Sequence, residues 1–124
     1  MANEITAVVE LKALKSSLSI AFPRLTKLID LAGSRYSSMV QDIGFAAHEL
    51  LVLAGDQTTV GMGVFVNLDA TNFIELGIDS GPGTFRPLIK LKAGHPALFY
   101  ATTNAIYAKA DTATCKLQYL ILEP

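Results

Sequence analysis

The chain has no tryptophan, one cysteine and two histidines, and only 17% of its residues are charged while 51% are hydrophobic. Each shortage excludes something. A lone Cys115 cannot close an intrachain disulfide, and it lies at the start of an apolar, alternating stretch, which fits a reducing, cytosolic assembly environment. His48 and His95 stand apart, in neither a His-x-His nor a His-x-x-x-His spacing, so there is no metal signature and no metal is expected. The 10 basic and 11 acidic residues give a net charge of -1 and form no basic run. Nucleic acid is therefore not an expected partner, because phosphate binding needs clustered Lys and Arg. No stretch approaches the ~18 consecutive apolar residues of a membrane span. The opening Met1-Ala2-Asn3-Glu4 lacks the basic and apolar segments of a secretory signal, so the expectation is cytoplasmic synthesis with no membrane partner.

What is present is strand patterning. From Val60 onward short apolar runs alternate with turn chemistry, with a period of two inside each run. Met62, Val64, Val66 and Leu68 share one face. The Asp69-Ala70-Thr71 corner and the run Asn72 to Ile78 follow, and the two runs read as a hairpin. Asp79-Ser80-Gly81-Pro82-Gly83-Thr84 is the clearest turn, with two glycines able to take positive φ around a proline. Strands at 88–91, 97–101, 105–110 and 116–122 complete this half, and Pro87 belongs at a strand start or a sheet edge. Both faces of the last strand are apolar, which predicts cover on both sides.

In the first half, alternation at Ile5, Ala7, Val9 and Leu11, at Leu18 and Ile20, and at Leu25, Ile29 and Leu31 predicts three more strands. Between Tyr36 and Leu51 the apolar spacing also fits a helix. Gly44 in mid-segment costs a helix about 1 kcal/mol, and two short strands, 38–43 and 49–53, are preferred. The 124 residues suit one core, and strands about every ten residues predict an all-β fold. The expected form is a single β-sandwich domain of roughly eight to ten short antiparallel strands, the jelly roll being one version of it.

Catalytic chemistry is hard to assemble from these residues. A reactive thiolate needs a helix N-terminus or a basic neighbour, and Cys115 opens a strand with Lys116 on the opposite face. Asp69, Asp79 and Asp111 sit at corners, where Asp satisfies its own turn. The glycine pairs around Met62 and Pro82 lack the strand-loop-helix context of a phosphate cradle. Neither a catalytic nor a cofactor-binding residue is assigned, and the chain is read as a non-enzyme.

Three stretches carry a family likeness: Val66-Asn67-Leu68-Asp69-Ala70-Thr71-Asn72-Phe73-Ile74-Glu75-Leu76-Gly77, Ile89-Lys90-Leu91-Lys92-Ala93-Gly94, and Ile106-Tyr107-Ala108-Lys109-Ala110-Asp111-Thr112-Ala113. Together they resemble small virion structural proteins of tailed bacteriophages, with His95 standing where Glu is common. The resemblance implies a capsid decoration (cement) protein. Its partners would be copies of itself, as a homotrimer, together with the major capsid protein or other virion subunits, and it would reside in the virion after synthesis in the host cytoplasm. A tail or fibre module that recognises a host polysaccharide is the alternative, disfavoured by loop tips with few aromatics.

Apolar residues on both faces of several strands point to subunit contacts, since large exposed apolar patches mark interaction sites. The candidates are Ile5, Val8, Val9, Leu11, Leu98, Tyr100, Leu120 and Leu122. Residues 1–12 are the candidate for an N-terminal strand or arm exchanged between neighbours.

Overall fold

The computed structural model describes residues 4–124 and contains ten strands and no helix among them. The chain divides into two compact units, residues 1–32 and 33–124. The first is a long hairpin of β1 (Ile5–Lys15) and β2 (Leu18–Ile29). The candidate arm 1–12 is thus one half of a hairpin within the chain, and its first three residues lie outside the described residues. The two alternating sets expected as separate strands, one around Leu18 and one around Leu25, merge into β2. Leu18, Ile20 and Phe22 are even-numbered and Leu25 and Ile29 odd, so a regular strand would put them on opposite faces. A register shift between Val9 and Leu11 sets Pro23 and Arg24 against the single residue Glu10. This β-bulge absorbs the odd residue and keeps both sets on one side.

The second unit is a sandwich of two four-stranded antiparallel sheets. The first sheet has the order β3-β10-β5-β8, with β3 Tyr36–Ile43, β10 Cys115–Leu122, β5 Met62–Asn67 and β8 Pro96–Tyr100. The second has the order β4-β9-β6-β7, with β4 Glu49–Leu50, β9 Tyr107–Ala110, β6 Ile74–Asp79 and β7 Phe85–Leu91. The segment with ambiguous periodicity forms strands β3 and β4. The odd residues of β10, Leu117, Tyr119 and Ile121, point inward onto Phe65, Ile74, Leu76 and Leu91, all buried. Phe65 stacks on Phe99 at 4.7 Å between ring centres.

Two expectations need correction. The runs β5 and β6 are not hairpin partners: β5 pairs with β10 and β8, whereas β6 pairs with β7 and β9. Asn67 turns the chain across the sandwich instead. Its fully buried amide donates to the carbonyls of Asn72 at 2.8 Å and Leu91 at 2.9 Å, and its Oδ1 accepts the Asp69 N–H at 2.9 Å. The Asp69 carboxylate in turn accepts the N–H groups of Thr71 and Asn72, and these backbone bonds lower its pKa. The β10 strand is central, as expected, but it is covered on the inner side alone, for Lys116, Gln118 and Leu120 are exposed. Pro87 lies on the edge strand β7 opposite a register shift at Leu76/Gly77. A Cβ on Gly77 would run into the Arg86 carbonyl oxygen, so the close approach there requires glycine.

Candidate subunit interface

The two sheets of the sandwich present different outer faces, and register explains why. In the second sheet Glu75 pairs with both Lys90 and Lys109, a row of alternating charge of the kind that faces water. In the first sheet, Leu120 stands beside Val64 and Val64 beside Leu98; Tyr36 pairs with Leu122, and Met62 with Tyr100. The set Met62, Val64, Val66 and Leu68, expected on one face, therefore points away from the core, while Gly63, Phe65 and Asn67 are buried. Tyr36, Tyr100 and Leu120 are 61%, 54% and 41% exposed. The charges in these rows are Asp42 and Lys116, which pair with each other at 2.8 Å at one end. What remains is a broad, charge-poor, apolar sheet surface.

The hairpin carries a second apolar face. Directly paired residues of an antiparallel ladder share a side, so Val9 with Leu25, Leu11 with Phe22, and Ala13 with Ile20 lie together. Leu11 is 72% exposed and Ile20 62%. The opposite face is mixed: Glu10, Lys12 and Arg24 are joined by ion pairs of 3.7 and 3.6 Å, and Val8, Leu14 and Leu28 are exposed along the same side.

The eight sequence candidates fall into two groups. Leu98, Tyr100, Leu120 and Leu122 come together on the outer face of the first sheet. Ile5, Val9 and Leu11 share the apolar hairpin face, whereas Val8 is on the other side. Sequence reasoning missed Tyr36, Val64, Ile20 and Phe22. The alternation of β5 and β2 was visible, but which side of each strand meets the core depends on partners distant in sequence.

Chemically reactive groups are tied into the fold. His48 Nε2 lies 3.1 Å from Asp79 Oδ2, and its ring stacks on Phe85 and meets Tyr107 edge-on. The hydrogen bond from His48 holds the Asp79 carboxyl below its ordinary pKa. Cys115 is buried, its thiol donates to the Ala113 carbonyl, and desolvation raises its pKa. No group of three or more His, Cys, Asp or Glu residues suited to a metal ion occurs among the described residues. An apolar cleft of about 210 Å³ lined by Leu76, Ile89, Phe99 and Ile106 has room for a side chain but falls below the ~300 Å³ of ordinary ligand sites. No helix of the described residues is long and apolar enough to cross a membrane.

Comparison with known proteins finds no matching family model, no matching curated protein and no matching solved structure.

Proposed function

We propose that the protein is a non-enzymatic structural virion protein that binds and stabilises a phage capsid surface as a homo-oligomeric decoration protein. The observation that carries this reading is the apolar outer face of the β3-β10-β5-β8 sheet. A free sandwich keeps its outer faces polar. Here one face carries the Glu75, Lys90 and Lys109 row beside exposed Leu50 and Leu88, while the other exposes Tyr36, Val64, Tyr100 and Leu120 with no charge between them. A capsid shell offers the broad, level subunit surface that such a face fits.

One further observation supports it. The pairs β3 with β10, β4 with β9, β5 with β8 and β6 with β7 nest like a long hairpin wound on itself. We read this as jelly-roll connectivity, an architecture common in viral capsid and lectin domains; the inference to a virion is fold analogy. The same class is what the sequence resemblance to tailed-phage structural proteins implies, as an expectation.

The test is a particle reconstruction from a lysate that expresses this chain, compared with one from which it has been deleted. The expected result is extra density on the capsid surface, contacted through Leu98 and Leu120. Density at the tail tip, or a particle identical in both lysates, would overturn the proposal.

A further inference from the structure

We infer that the apolar face of the β1–β2 hairpin is completed by the same face of a second copy, the two hairpins packing face to face and head to tail about a two-fold axis at the Glu10–Arg24 bulge. This rests on the homo-oligomeric part of the reading above and not on its capsid part, because it uses a different surface.

The need for a cover comes first. A two-stranded hairpin is marginal in water, and stability requires more strands or a second layer over its apolar side. Two hairpins stacked in this way make a four-stranded, two-layer unit with a shared core. The area is sufficient. Val9, Leu11, Leu18, Ile20, Phe22 and Leu25 are 46–72% exposed. Each leaves on the order of 100 Å² to cover, so complete coverage in two copies buries about 1,200 Å² between them, at the low end for a stable interface.

Charge then selects the direction. On this face the hairpin tip carries Lys15, while the open end carries Glu4, whose carboxylate accepts the Leu31 N–H, and Asp30, with Lys27 two residues inside Ile29. Head-to-tail packing brings the Lys15 end of one copy to the Glu4 and Asp30 end of the other. It also sets the Val9–Leu25 pair against Leu11–Phe22, and the Ala7 level against Ala13, so bulk faces bulk and small faces small. Lys27, on the apolar face beside Ala7, lays its stem across the partner and reaches the rim with its ammonium group. In a parallel three-fold bundle, the arrangement implied by likeness to trimeric decoration proteins, three Lys15 and three Lys27 would gather at the same two heights, and like charges so placed repel.

Two measurements on the full chain decide it. Sedimentation velocity at tens of micromolar is expected to show a dimer. Leu11→Glu and Ile20→Glu should each weaken association at least tenfold, while Val8→Glu, on the opposite face, leaves it unchanged. In a Cys115→Ser background, a spin label on Lys15→Cys should report a distance between copies of about 35 Å, ten residues at ~3.3 Å each. A monomer, a trimer, equal effects of substitutions on both faces, or a label separation under about 20 Å would each overturn the inference. A dimer of this geometry that is absent from particles would instead remove the capsid reading and leave the pairing standing.

Discussion

Asn67 shows how much one buried polar side chain determines here. All of its side-chain hydrogen-bonding groups are engaged, and its backbone also accepts from the Gly94 N–H and donates to the His95 carbonyl. Asn67→Ala leaves the Asn72 and Leu91 carbonyls without this donor inside the sandwich, at a cost of about 1–3 kcal/mol for each group stranded. Urea unfolding should show a loss of roughly 2–4 kcal/mol, while Asn72→Ala, which keeps its backbone carbonyl, costs far less. Tyr119 makes a second case. Its hydroxyl donates toward Val52 O at 2.6 Å and Gln41 Oε1 at 2.9 Å, and desolvation pushes its pKa up to about 12. The fold thus favours the neutral phenol. That contribution is complete below the unfolded pKa of about 10 and is lost as pH rises through about 12. Wild-type stability should fall more steeply than that of Tyr119→Phe between pH 9.5 and 11.5, as measured by urea unfolding at each pH; parallel curves would show that Tyr119 contributes no such linkage.

At the scale of elements, the bulge in β2 makes an unusual prediction. Deleting Pro23 removes the odd residue, so a regular ladder still places Phe22 and Leu25 on one face, and self-association should persist. Deleting Glu10 puts Val9 and Leu11 next to each other and hence on opposite faces, and association should be lost in the same sedimentation assay. Legibility in the sequence follows the same logic. Strand β10 and the turn at Asp79 to Thr84 were readable, because alternation and paired glycines are local signals. The joining of two apolar sets across Pro23 was not, since a bulge is visible only once β1 supplies the register. The pairing of β5 with β10 and β8 rather than with β6 was equally hidden. It depends on Asn67 reaching carbonyls at residues 72 and 91, and a corner of Asp, Ala and Thr looks the same whether the chain doubles back or crosses to another sheet. The candidate interface was half legible for this reason: apolar residues on both faces of a strand are visible in sequence, but which face turns outward is not.

For the whole molecule, the low charge content resolves into two apolar surfaces, one on each unit, and whether they act independently can be tested. The outer face of the β3-β10-β5-β8 sheet carries Leu98 and Leu120; the hairpin carries Leu11 and Ile20. Leu120 is 41% exposed, so Leu120→Lys places its charge in solvent and should change stability by less than about 0.5 kcal/mol. Under the proposals made above, Leu120→Lys abolishes attachment to the capsid surface yet leaves the dimer intact, because the substitution lies outside the hairpin. Ile20→Glu has the reverse signature on the first measure, a monomer by sedimentation. Its attachment is weakened without being lost, since a dimer engages two sites at once and a monomer forfeits that gain in effective concentration. Pelleting of each variant with particles that lack the native protein, alongside sedimentation of the free chain, separates the two effects. If both substitutions abolish both properties together, the surfaces are one interface and the division of labour argued here is wrong.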